Sequence, residues 1–213
     1  MMYSEKIEIT ARPPFSFDLS SEIFANGDKK IRNSENGRFW QVIRINSKLV
    51  LVVVASTGTV EKPKLTVGLK SDKAITEEDK ETAGDAVTAL FSLDLDLKPF
   101  YETVKNDAVM AHLTRELWGL KNPTTPTVFE AMVDAIVEQQ ISLKVANSLE
   151  ARIIKRFGDA LDLEGDVYFV YPTPQQLASV SIEEFRQCGL SYRKAEYIKE
   201  ASTLIMEGQL NLE

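Results

Sequence analysis

Cysteine is nearly missing from this chain: Cys188 is the only one in 213 residues. That excludes internal disulfides and any multi-cysteine metal centre, and a reducing, cytosolic setting is the simplest inference. Histidine is equally scarce. His112 alone provides no set of ligands for a zinc centre and weighs against a Ser-His triad. Long apolar runs are absent too. The longest, Leu49 to Ala55, is the size of a strand and far short of a bilayer span. The opening MMYSEKIEIT has no basic segment followed by an apolar one, so it does not read as a secretory signal. Basic charge is also short, with a formal net charge of −7. Nucleic-acid binders usually carry a basic face, so this weighs mildly against such a partner. Net charge is an average, however. The first 95 residues are close to neutral, and a local pair such as Arg193-Lys194 can meet phosphates while acids occupy another side. What remains is an ordinary globular composition, 44% hydrophobic and 27% charged. The length suits two modest domains or one large one.

The first part reads as an antiparallel sheet. Phe39 to Ile45 is rich in β-branched and aromatic residues, Asn46-Ser47 signals a turn, and Lys48 to Ala55 follows as a more buried strand. Leu65 to Leu69 predicts another strand, and Asn26-Gly27-Asp28 and Asn36-Gly37 mark loops or tight turns. Ile75 to Phe91 switches to helical spacing behind an acidic first turn, Thr76 to Asp79. Strands followed by a helix suggest an α+β unit. From Lys98 onward the pattern is helix after helix. Asp107 to Trp118 predicts one, with Val109, Leu113 and Leu117 on a shared face. Asn122 to Pro126 is a proline-bounded break. The boundary between the two parts is therefore placed at 97/98, giving domains 1–97 and 98–213.

The most informative stretch is TVFEAMVDAIVEQQISLKVANSLEARIIKRFG, Thr127 to Gly158. Thr127 and Glu130 fit a capping box, and Phe129, Met132, Val133, Ile136 and Val137 form an apolar stripe. Ser142 is placed to cap a second helix carrying Val145, Leu149, Ile153 and Phe157, with Gly158 expected as its left-handed terminator. Between them lies a polar elbow, Glu138-Gln139-Gln140-Ile141-Ser142. A junction that served only a core would hold leucine or alanine. Long neutral amides suit filling a gap and hydrogen-bonding to a group presented from outside. Further on, Thr173-Pro174, Ser181-Ile182 and Ser191-Tyr192 each open a helix.

These segments resemble a known family. The opening PFSFDLSSEIFANGD with GRFWQVIR, the elbow segment, YPTPQQLASV and CGLSYRKAEYIKEASTLIMEG follow the order found in helix-hairpin-helix (HhH-GPD) DNA glycosylases. The branch is that of the 3-methyladenine DNA glycosylase II (AlkA-like) and 8-oxoguanine enzymes. The resemblance covers essentially all 213 residues. It implies a TBP-like antiparallel-sheet domain followed by an all-α domain. It also implies base excision repair by hydrolysis of the N-glycosidic bond of an alkylated or oxidised base in double-stranded DNA. An everted nucleotide leaves a hole that must be plugged. The resemblance places Gln139 and Gln140 at that task, with Gln140 or Ile141 as the wedge and Ser142 beside them. A second loop brings Ser191, Tyr192, Arg193 and Lys194, with the tyrosine stacking on bases and the cations meeting phosphates. The family's Leu-x-Gly-[Ile/Val]-Gly hairpin and its catalytic aspartate have no counterpart here. The expectation is therefore a helical domain truncated before them, with no catalytic residue in this chain and no activity by itself. Neither metal nor organic cofactor is expected, nor a membrane. A cytoplasmic location is expected, nucleoid-associated if the source is prokaryotic, as is self-association through faces left uncovered.

Blander readings attach to other residues. Asp134 and Glu138 are expected as solvent-facing charges, His112 as structural, Cys188 as a buried filler, and Trp40 and Trp118 as core anchors. Two rival functions stay open: a non-catalytic module that binds or regulates at damaged DNA, and an unrelated protein-interaction domain.

Overall fold

The computed structural model describes residues 2–212, which form two compact units divided at Thr124/Thr125. That division falls later in the chain than the 97/98 boundary expected from composition. Helices α3 (Lys98–Val104) and α4 (Ala108–Glu116) group with the sheet. The fold class is α+β, as the sequence suggested.

The first unit is built on a five-stranded antiparallel sheet in the order β1-β5-β4-β3-β2. Its strands are β1 (Tyr3–Thr10), β2 (Arg32–Glu35), β3 (Arg38–Ile45), β4 (Lys48–Ser56) and β5 (Lys64–Ser71). Two tight hairpins set the register. Asn36 and Gly37 both take positive φ, 53° and 70°, and Asn46 takes 52°. Those are the conformations a two-residue turn between twisted strands demands. Pairing then places Phe39 opposite Val54 and Val54 opposite Val67, so each row of the inner face is apolar. α1 (Phe17–Ser21) and α2 (Glu77–Leu90) complete this core. Ala83, Val87 and Leu90 of α2 are fully buried with Phe15, Phe17, Phe39 and Phe91. The Phe39 and Phe91 rings meet edge-on at 5.1 Å.

Two polar devices hold this unit's parts together. Thr76 and Asp79 form a reciprocal capping box at the start of α2. Asp79 also accepts from Asn46 at 3.0 Å and pairs with Lys48. The β3–β4 turn is thereby pinned to the helix start. The Lys48 ammonium, aided by the Thr76 amide and Asn46, holds the buried Asp79 carboxyl far below the usual carboxylate range. The buried Lys121 ammonium donates to the carbonyls of Arg12 and Leu93 at 2.8 and 2.7 Å. Burial pushes its pKa down.

The tryptophans depart from expectation. Trp118 is 40% exposed; it stacks on Tyr101 at 4.3 Å and donates to Glu61 at 2.7 Å, so it is no core anchor. Trp40 is half-buried on the sheet, its indole N–H donating to Lys29 O at 2.9 Å. The α4 face of Val109, Leu113 and Leu117 is exposed as well.

The second unit contains α5 (Val128–Glu138), α6 (Leu143–Phe157), a small hairpin β6 (Ala160–Leu163) and β7 (Asp166–Phe169), then α7 (Pro174–Ser179), α8 (Ile182–Gln187) and α9 (Tyr192–Met206). Its core takes Phe129, Val133 and Val137 from α5 and Ala146, Leu149 and Ile153 from α6. Leu177, Phe185, Ala195 and Ile198 fill the other side. Val145 was expected on that face but is 47% exposed; Ala146 takes its place. Asp134 is half-buried and accepts the Tyr171 hydroxyl at 2.9 Å, so it is not a solvent-facing charge, whereas Glu138 is exposed. Gly158 ends α6 in extended backbone, φ −79°, rather than the left-handed region. Glycine is required there for closeness: a Cβ would stand 2.1 Å from Val170 O and 2.7 Å from Ile154 O. Cys188 is buried as expected, and burial raises its thiol pKa.

Candidate functional site

The two apolar stripes of α5 and α6 bury against one core, and the residues between them must turn sharply outside it. Helix α5 ends at Glu138. Gln139, its C-cap, adopts φ −54° and ψ 127°, and Gln140 swings to φ 58°. A left-handed conformation is uncommon for a residue with a Cβ. Here it drives the chain outward, so that Gln139, Gln140 and Ser142 are all exposed. Ile141 alone turns back, half-buried against the helical core. The elbow thus presents its two amides to solvent and anchors itself by the residue after them. Of the two wedge candidates, Gln140 is the one that projects.

Ser142 holds the cap position of α6 in extended geometry, yet its hydroxyl makes no cap bond. The amides of Val145 and Ala146 turn to its carbonyl instead, both at 3.0 Å. Among the described residues, the Leu143 and Lys144 amides and the Ser142 hydroxyl have no partner and stay open to a ligand, at the positive end of a 15-residue helix. Leu143 and Lys144 are exposed beside it, Leu143 at 65%. Neither was singled out from sequence. An exposed leucine directly after a cap was the available signal.

The second loop lies against the elbow. Gly189, at φ 102°, turns the chain between α8 and α9. A Cβ there would meet the Leu149 side chain at 2.7 Å. Arg152 of α6 braces this turn by donating to Cys188 O at 3.3 Å. Leu190 is buried, and Ser191 caps α9 by accepting from Lys194 N at 3.3 Å. Tyr192 is 54% exposed and Arg193 is exposed. Among the described residues, Arg193 has no ion-pair partner.

Lys194 behaves differently from its neighbour. It was grouped with Arg193 as a phosphate contact, but its side chain is half-buried. Its ammonium donates to Val137 O at 2.9 Å and to Gln139 O at 2.8 Å, the last carbonyls of α5. The expected site residues are thus brought together, with the Lys194 ammonium at the joint between elbow and loop. Among the described residues no cluster of His, Cys, Asp and Glu could hold a metal ion, and no helix is long and apolar enough to cross a membrane.

Residues 133–211 match the family model described as "HhH-GPD superfamily base excision DNA repair protein". The chain is 29% identical over 179 residues to the DNA-3-methyladenine glycosylase of Bacillus subtilis (strain 168), covering 84% of this chain and 58% of that protein. Over 92 residues it is 33% identical to DNA-3-methyladenine glycosylase 2 of Escherichia coli (strain K12), covering 43% of this chain and 32% of the relative. Among solved structures, the 3-methyladenine DNA glycosylase from Archaeoglobus fulgidus superposes with a TM-score of 0.79 at 24% identity, covering 92% of this chain and 66% of that one. The chain therefore spans less than two thirds of the length of these relatives.

Proposed function

The chain belongs to the HhH-GPD superfamily of base excision DNA repair proteins, and on that premise we propose that its second unit probes double-stranded DNA and fills the gap left by an everted damaged base. The observation that carries this is the elbow: two neutral amides, solvent-exposed, on a backbone held in the left-handed region at Gln140. Removing a nucleotide from the stack leaves a void and an orphaned partner base. A glutamine side chain is long enough to enter the void, and its amide both donates and accepts. Tyr192 offers a stacking face and Arg193 a cation for the backbone. Ser142 and the open amides of α6 suit a phosphate oxygen. Ile141 holds the elbow to the core, and Ser191 sets the start of α9.

The names of the relatives point to an alkylated base of the 3-methyladenine kind as the lesion; an oxidised base, expected from the sequence resemblance to the 8-oxoguanine branch, is the other candidate. Hydrolysis of the N-glycosidic bond is the activity we propose for the whole protein. No residue of these 213 is assigned a chemical step in it. Self-association is part of the same proposal: Val109, Leu113 and Leu117 expose an apolar face on α4 that a second copy could cover. A single monomeric species in sedimentation velocity at every concentration counts against it.

The decisive experiment measures affinity for a duplex with one abasic site against the same duplex undamaged. The abasic duplex is expected to bind more tightly, with affinity falling as salt rises. Gln140→Ala is expected to reduce that preference by about tenfold, as loss of a buried hydrogen-bonding side chain would. Equal affinity of the unaltered chain for both duplexes removes the proposal.

A further inference from the structure

We propose that Lys194 is a positioning residue that locks the elbow to the first turn of α9 and so fixes where Gln140 stands relative to Tyr192 and Arg193. This rests on the probing role proposed above. A helix ends with carbonyls that lack partners, and α5 ends without the left-handed glycine that usually lets the following amides satisfy them. Its terminal turn is served instead by a cation from another helix. The Lys194 ammonium reaches Val137 O and Gln139 O at 2.9 and 2.8 Å. Both bonds are charge-assisted and lie at the negative end of the α5 dipole. Two of the three ammonium donors are thereby occupied, and the side chain is half-buried. That is a poor arrangement for a phosphate contact and a good one for a clamp.

The same helix repeats the device. Lys199 donates to Ala178 O at 3.1 Å and Val180 O at 2.6 Å, closing the end of α7. The two lysines make equivalent bonds, but only Lys194 holds the elbow. Lys199 therefore serves as an internal control. Clamping has a functional consequence because a plug that is already ordered loses less conformational freedom on entering DNA.

Lys194→Met keeps the apolar stem and removes the ammonium. The test compares the unaltered chain with Lys194→Met, Lys194→Arg and Lys199→Met. It uses abasic and undamaged duplexes over a range of salt, together with amide hydrogen exchange of residues 139–143 without DNA. Lys194→Met is expected to lower the abasic preference by roughly tenfold, the equivalent of one charge-assisted hydrogen bond, and to hasten exchange at the elbow. Its salt slope should stay unchanged. Lys194→Arg keeps the charge with a different donor geometry and should lower the preference too, to a smaller extent. It also serves as the test variant if the methionine variant does not fold. Lys199→Met should leave both preference and elbow exchange as they were. A salt slope reduced by about one in Lys194→Met, with the preference intact, identifies a phosphate contact and overturns the proposal. Unaltered elbow exchange in the Lys194 variants overturns it as well. If the unaltered chain shows no preference, the probing role fails. The exchange measurement then still decides whether the clamp exists.

Discussion

At Gln140, backbone and side chain pull in opposite directions. A left-handed φ of 58° disfavours any residue with a Cβ, so the position would be more comfortable as glycine. Gln140→Gly is expected to leave folding stability unchanged or raise it by up to ~1 kcal/mol while the abasic preference falls. Urea unfolding beside duplex binding separates the two. A clear loss of stability would mean that the amide serves the fold instead. Asp79 illustrates the opposite case, a side chain wholly occupied with structure. Its pKa lies well below that of an ordinary carboxylate near 3.9, chiefly through Lys48. Its contribution to stability is therefore complete above about pH 4 and fades as pH falls toward the depressed native value. Asp79→Asn is expected to cost about 2 kcal/mol at pH 7. The gap between the variant and the unaltered chain should narrow at pH 3, as read by urea midpoints. A gap that persists undiminished into strong acid contradicts the assignment. At this scale, the elbow was legible because glutamine pairs are chemically out of place between apolar stripes. The job of Lys194 was not: its acceptors lie 55 and 57 positions earlier in the chain, and nothing in a local pattern announces them.

Elements were legible where one face is buried and the other is not. β3, β4 and β5 announced themselves by β-branched and apolar runs between turn signals, α2, α5 and α6 by apolar residues at helical spacing, and α9 by its Ser191 start. The strands that escaped are those whose burial is weak. β1, YSEKIEIT, pairs with β5 at the sheet edge and buries no residue fully, so charge hides its alternation. β6 and β7 are four residues each, joined by Glu164-Gly165 at φ 58° and 97°, too short for a period to show. This hairpin and the end of α6 meet at Gly158, where the Val170 and Ile154 carbonyls leave no room for a methyl group. Gly158→Ala is expected to destabilise the chain by about 2–3 kcal/mol, since backbone must move to admit it. Gly165→Ala, with open space around its Cβ, carries only the strain of its positive φ and should cost less. Thermal unfolding of the pair checks the order, and equal losses would show that conformation, not crowding, governs both sites. Helix starts need no such space. Thr173 and Ser181 head complete capping boxes that the sequence marked as helix starts.

For the molecule as a whole, a formal charge of −7 and the proposed DNA partner must be reconciled. Screening supplies the reason they are compatible. At physiological salt the field of an exposed charge decays over about 8 Å, so acids on remote surfaces contribute little at a docked phosphate. What counts is the charge at the contact. On the elbow, the first turn of α6 and the first turn of α9 the exposed cations are Lys144 and Arg193, while Lys194 is committed to α5 carbonyls. Each neutralised phosphate steepens the salt dependence of duplex affinity by about 0.9 in logarithmic slope. Two contacts then predict a slope near about −2 for this chain, shallow for a DNA-binding protein. Arg193→Gln should bring it toward about −1, equally for abasic and undamaged duplexes, because a phosphate contact carries no information about the missing base. Gln140→Ala should do the reverse, lowering the preference and leaving the slope alone. Affinity titrations at several salt concentrations resolve both quantities for each protein. A slope of roughly −6 would show that a much wider basic surface meets the backbone than this elbow and loop provide. A slope untouched by Arg193→Gln would place the phosphates elsewhere on the molecule.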